Sequence, residues 1–263
     1  MSRGAAVKVV LGEKSASVVC VKPSGDCFYE CVQQAFFSAG LDVREFPGVN
    51  CEEGDDGMHA LRRTAAEAVD KNIFDQFSMY HTAGLSDFRF MAKVKDEHML
   101  KEKMLVSGRS AGCGTCLWAN EFEIGAVCSA LHLVVLIIDG QSSGNNRFVS
   151  MSPPPPAVQN HFVLLNRTRR EHFNYITIQG RAVFSSHDLP MSVVSAWNLP
   201  LSRSGGAGGK RRSDENQGND DKEQGVRDGT AACETKLSKQ VTTSTTTTTE
   251  TVSTGKRHRR NGI

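Results

Sequence analysis

Ser24-Gly25-Asp26-Cys27-Phe28-Tyr29 sets a cysteine behind a glycine-containing loop and at the head of an apolar run. Phe28, Val32, Ala35 and Phe36 recur at helical spacing until Gly40 stops them, which predicts a helix over residues 27–39 with Cys27 in its first turn. There the unpaired backbone N–H groups and the helix dipole favour thiolate over thiol. The same N–H groups can face the oxyanion that develops when the sulfur attacks a carbonyl. A second word lies far downstream, Glu171-His172-Phe173-Asn174-Tyr175-Ile176. His172 opens a predicted strand, and Asn174, two residues on, shares its face. An amide in that place can hydrogen-bond the imidazole and fix its tautomer. Cys27, His172 and Asn174 are therefore candidates for a nucleophilic triad.

Working outward, residues 7–11 and 17–21 read as a short hairpin or edge strands around Gly12-Glu13-Lys14. Residues 42–57 are polar and turn-rich, a loop. Leu61, Ala65, Ala68 and Val69 place a second helix over 59–72, and Ser86 stands where it would cap a third helix running to 94. Residues 107–117 form a small-residue loop. Asn120 with Glu123 has the spacing of a capping box that opens a helix to about residue 130. The β-branched run 133–138 reads as a strand buried on both faces. Further strands are expected over 147–151, 162–165 and 173–178, separated by the proline loop 153–156 and a turn near 167–171. Helices followed by a cluster of strands make an α+β domain, a small central sheet packed between helices.

The chain has 263 residues, enough for one sizeable domain and a tail, or for two small domains. A formal charge of +2 is too small to imply a nucleic-acid partner for the whole protein. The longest strongly apolar stretch, 131–138, ends at Asp139-Gly140 and is too short to span a bilayer. The apolar run 7–11 is too short for a signal-peptide core, so the expected location is intracellular and cytoplasmic. Eight cysteines without compact repeating spacing read as reduced thiols, most of them core. Cys31 lies one helical turn after Cys27 but lacks the loop before it. Cys113-Gly-Thr-Cys116 has no second ligand pair nearby and sits in a Gly/Ser-rich loop, so it reads as loop, and neither metal nor organic cofactor is expected.

The two words resemble those of the ovarian tumour (OTU) family of deubiquitinases. That family carries Asp-Gly-x-Cys-(Leu/Phe)-(Phe/Tyr) around its nucleophile, matched here by Gly25, Cys27, Phe28 and Tyr29. Its histidine word, His-(Tyr/Phe)-(Asp/Asn), is matched by His172-Phe173-Asn174. A Trp-Gly-x word lies between them in the family, and Trp118-Ala119-Asn120-Glu121 stands in the corresponding order. Two departures stand out. The family's loop aspartate is Ser24, with an acid instead at Asp26, and the glycine after the tryptophan is Ala119. The resemblance covers about residues 17–180. It implies a papain-like domain over 1–200 with Ser24, Gly25 and Asp26 as oxyanion loop and Trp118 beside the substrate channel. It also implies thiol-dependent hydrolysis of isopeptide bonds at the C-terminus of ubiquitin or a ubiquitin-like modifier. The alternatives it leaves are a viral or parasite-type protease acting on a polyprotein or on such modifiers, and an inactive module that binds ubiquitin. His161-Phe162 competes as the histidine word, but Val163 two residues on cannot orient an imidazole.

From Ser202 the composition changes. Glycines precede Lys210-Arg211-Arg212, a mixed-charge stretch follows, then a threonine tract and Lys256-Arg257-His258-Arg259-Arg260. Such a segment cannot bury enough apolar surface to offset its ordering entropy, so 201–263 reads as a disordered tail. Its two basic clusters leave a nuclear address or nucleic-acid contacts as alternatives.

Overall fold

The strands that the sequence marks by β-branched runs assemble into one sheet, and helices pack on both of its faces. A computed structural model describes residues 7, 11–112, 114–140, 146–151, 161–168 and 172–199, all within the unit Met1–Gly206. The elements in order are β1 (Ala16–Val19), α1 (Cys27–Ser38), a 3₁₀ turn (Val43–Glu45), α2 (Gly57–Glu67), α3 (Lys71–Thr82) and a longer 3₁₀ segment (Ser86–Lys93). There follow α4 (Glu97–Leu105), α5 (Gly108–Ala111), α6 (Glu121–Ala130), β2 (Leu133–Gly140), β3 (Asn146–Met151), β4 (His161–Thr168), β5 (His172–Ile178), β6 (Val183–Phe184) and α7 (Met191–Trp197).

The sheet runs β1-β5-β4-β2-β3, with β6 paired to the start of β4. Only β2 and β4 run parallel. Alternation along the strands divides the core in two. Val135, Ile137, Val163, Leu165, Phe173 and Tyr175 face the cluster built by α1, α2 and α6. Val134, Leu136, Ile138, Leu164 and Ile176 face a smaller cluster with Val193 of α7. β2 is thus buried on both faces, and the α+β class with a central sheet between helices is as the sequence implies.

Several local expectations need correction. Val7 and Leu11 are buried and helical, not strand, and both belong to the smaller core. The second helix ends at Glu67, and α3 begins anew behind Asp70, whose side chain accepts the Ile73 N–H at 2.9 Å. α4 starts in the same way behind Asp96. Ser86 caps nothing; its hydroxyl donates to the Asp87 carboxylate, and the segment it opens is 3₁₀. The proline loop 153–156, the turn residues 169–171, Cys113 and the tail 201–263 lie outside the described residues. Among the described residues no helix is long and apolar enough to cross a membrane.

The capping box forms as read. Asn120 Oδ1 accepts the Phe122 and Glu123 N–H groups, and Glu123 Oε2 accepts the Asn120 N–H at 2.7 Å. Glu123 is buried, and desolvation lifts its carboxyl to about 7 against the pull of the Asn120 N–H and the Arg62 guanidinium. A carboxyl whose pKa is raised by folding stabilises the fold fully below its unfolded value, and that stability is lost as pH rises to the folded value. The wild type should therefore lose about 3 kcal/mol of stability relative to Glu123→Gln between pH 4.5 and 7. Urea unfolding of both proteins at each end of that range measures the difference, since Gln keeps the cap but does not titrate.

Candidate active site

Cys27 is the first residue of α1, and its sulfur lies against the start of β5: the Phe173 N–H donates to Cys27 Sγ at 3.4 Å. His172 is therefore the chain neighbour of the residue that holds the sulfur. Its Nε2 stands 3.2 Å from Asn174 Oδ1, and the same oxygen accepts the Val21 N–H at 3.0 Å. A backbone N–H can only donate, so the atom it meets is the amide oxygen and not the amide nitrogen. That oxygen can only accept, so His172 Nε2 carries a proton. In the neutral ring Nδ1 is then the nitrogen able to act as base. Asn174 is fully buried, which leaves its orientation to the protein and not to solvent.

The electrostatics differ from the sequence-based expectation. Cys27 is 2% exposed, and burial pushes its thiol up to about 11. The N–H groups of Phe173, Phe28 and Cys27 itself pull downward without overcoming it, and the Glu30 carboxylate adds to the rise. Desolvation outweighs the helix terminus here. At neutral pH the sulfur needs a base to ionise it.

The loop before the cysteine has a glycine where one is required. Gly25 has φ +90°, a conformation that residues with a Cβ rarely adopt. Ser24 Oγ accepts the Asp26 N–H at 3.3 Å and donates to Glu30 Oε1 at 3.4 Å, so Glu30, one turn into α1, supplies a carboxylate to a loop that lacks one at position 24. Glu30 in turn accepts Arg109 Nε at 2.6 Å. The carboxylate of Asp26 meets Arg62 Nε at 2.7 Å, Ser107 Oγ at 2.9 Å and the N–H groups of Gly108 and Arg109 at 3.1 and 2.9 Å. Burial raises its pKa, but the guanidinium and these donors outweigh it and hold the carboxyl below its usual range.

His161 takes no part. It begins β4, opposite Leu133, at the other end of the strand from Thr168, which pairs with His172. At about 3.3 Å per residue the two histidines stand roughly 20 Å apart along the sheet. Its ring packs between Phe36 and Phe46 instead. Trp118 is half-buried against the larger core, and the preceding carbonyl, Leu117 O, accepts Arg62 Nη2 at 2.9 Å. Cys116 Sγ donates to the Ser24 carbonyl at 3.7 Å, which makes it part of the loop packing.

Sequence reasoning passed over Glu30, Arg62 and Arg109. An arginine in a polar-looking helix reads as solvated, and nothing local marks Arg62 as fully buried. Only the excess of small apolar neighbours, Ala60, Leu61, Ala65 and Ala66, hints that its helix is enclosed.

No family model and no curated protein matches the chain. Solved structures similar to it include an OTU domain in complex with ubiquitin, 14% identical, covering 70% of this chain and 83% of its own at a TM-score of 0.41. An OTU deubiquitinase from Wolbachia pipientis wMel is 10% identical, with 69% and 96% covered and a TM-score of 0.37. The Hazara virus OTU bound to ubiquitin is 14% identical, with 62% and 81% covered and a TM-score of 0.36.

If the imidazole serves the sulfur, removing it should expose the intrinsic acidity of the buried thiol. In His172→Ala, alkylation of Cys27 by iodoacetamide should rise only as pH approaches about 11, whereas the wild type should react at neutral pH. Peptide-resolved mass spectrometry gives both profiles, and superimposable curves would show that His172 takes no part.

Proposed function

We propose that the chain is a cysteine hydrolase of the OTU type that cleaves isopeptide bonds at the C-terminus of ubiquitin or a ubiquitin-like modifier. The observation that carries the chemistry is the linked set of contacts from Val21 N–H to Asn174 Oδ1, from Asn174 to His172, and from Phe173 N–H to Cys27 Sγ. The substrate class rests on the resemblance of the three sequence words.

In this reading His172 Nδ1 takes the Cys27 proton as the sulfur bonds to the carbonyl carbon of the terminal glycine. The carbonyl electrons move onto oxygen, where N–H groups at the head of α1 and the Gly25 N–H of the loop before it stabilise them. The C–N bond then breaks, and the proton held on His172 passes to the leaving lysine amine. A water, deprotonated by the same nitrogen, adds to the thioester and restores the thiol. Asn174 stabilises the imidazolium and holds its plane. Trp118 borders the path of the extended substrate tail.

The burial of Cys27 and its raised pKa favour one other reading, an inactive module that binds ubiquitin without cleaving it. A ubiquitin probe with a thiol-reactive group at its C-terminus separates the two. The hydrolase should form a covalent adduct that Cys27→Ala abolishes, and His172→Ala should slow it about 100-fold or more. Retention of the probe by the wild type with no adduct would decide for the binding module.

A further inference from the structure

We propose that the buried Asp26–Arg62 ion pair is the positioning element of the nucleophile loop, the device that sets where Cys27 presents its sulfur and its N–H groups. The inference deepens the hydrolase reading and rests on it. Both side chains are wholly shielded from solvent, and their charged atoms approach to 2.7 Å. Stability alone is a poor reason for such a pair, since desolvating two charges offsets most of their attraction and apolar replacements are often as stable. What the pair does supply is geometry.

Its remaining hydrogen bonds fall on loops and helix ends. Arg62 donates to the carbonyls of Gly25 at 3.3 Å, Met104 at 2.7 Å and Leu117 at 2.9 Å. Asp26 accepts from Ser107, Gly108 and Arg109. The pair therefore ties together the loop that ends at Cys27, the end of α4 and the segment that leads into Trp118 through the guanidinium, and the start of α5 through the carboxylate. Side-chain packing cannot replace it. Gly25 has no side chain, and at Gly108 a Cβ would fall 1.7 Å from the Ser24 carbonyl oxygen, so these loops meet backbone to backbone. Arg62 also lies over the Tyr29 ring at 4.7 Å, which fixes the first turn of α1 to the same point. The charge expected at position 24 is thus carried two residues later and directed to the far side of the loop. Asp26 and Arg62 are positioning residues, because neither touches the reacting atoms; they act through the placement of Cys27.

The test compares wild type, Asp26→Asn, Arg62→Lys and Arg62→Met as folded, full-length chains, with the folded fraction counted by near-UV circular dichroism. Turnover of a fluorogenic ubiquitin C-terminal amide should fall about 100-fold in Asp26→Asn and in Arg62→Met, as an ångström-scale misplacement of a nucleophile does. Arg62→Lys, with one point charge and no fork, should recover part of it. Ubiquitin affinity measured in the Cys27→Ala background should change less than about 3-fold, so that the loss lies in kcat and not in KM. The pH profile of Cys27 alkylation should also move. Ser107→Ala, which removes a single contact to the same carboxylate, should lower turnover about 10-fold and serves if the charged variants do not fold. Unchanged turnover per folded molecule would overturn the proposal. If the wild type turns over no substrate, the hydrolase reading fails separately. The alkylation profile then decides alone, with identical curves for wild type and the variant counting against positioning.

Discussion

A short edge strand leaves the donors around which the site is organised. β1 pairs only with Tyr175–Ile178 of β5, from Val19 opposite Tyr175 to Ala16 opposite Ile178. Beyond that register no strand among the described residues lies on the outer side of the first residues of β5, and an unpaired sheet edge presents N–H groups that must find other partners. The Phe173 N–H finds Cys27 Sγ. The chain that leaves β1 returns along the same edge, and its Val21 N–H meets Asn174 Oδ1. A longer β1 would use these edge positions for pairing and exclude the helix terminus. Cys27 and Asn174 are both held at this edge because the ladder stops early.

The same enclosure explains the electrostatics. A sulfur held at a sheet edge under a helix is dry, and dryness favours the thiol, hence the rise to about 11. The Glu30 carboxylate adds to the rise, although each nearby acid has a cationic partner. Glu30 is met by Arg109 and Asp26 by Arg62. Each acid thus has a guanidinium partner, and the tautomer of the His172 imidazole is set by a backbone N–H two residues past the end of β1.

Features written in a few consecutive residues were legible. The capping box at Asn120, the doubly buried β2 and the strand carrying His172 and Asn174 each depend on local pattern, and each stands where the sequence placed it. The run around Val7 misled because four apolar positions in five read as strand, whereas Val7 and Leu11 are helical. α3 and α4 escaped notice because their apolar stripes are thin; Phe77 is the one buried side chain of α3, and Leu100 and Met104 are those of α4. Their caps, Asp70 and Asp96, were visible but gain meaning only beside a helix already recognised. Candidate site residues were legible as words. The polar framework was not, since Asp26 and Arg62 are 36 residues apart and Asp26 and Gly108 are 82 apart.

Where the polar groups are buried says most about what the fold is for. The smaller core, from Val7 to Val193, consists of aliphatic and aromatic side chains. The end of the sheet at which β2 and β4 finish and β5 begins is different. Asp139 pairs with Arg167 at 2.9 Å, Arg167 lies over the Phe173 ring, Asn166 stands opposite Asn174, and the loop cluster of Ser24, Asp26, Glu30 and Ser107 adjoins them. A buried polar group destabilises a fold unless it is fully partnered, and an apolar side chain would serve packing better at each of these places. A sequence that keeps so many of them at one end of its sheet, around one cysteine, departs from good packing where chemistry needs fixed donors and charges. Substitutions in the smaller core should thus act on the folded fraction, while those at the polar end act on the geometry of Cys27.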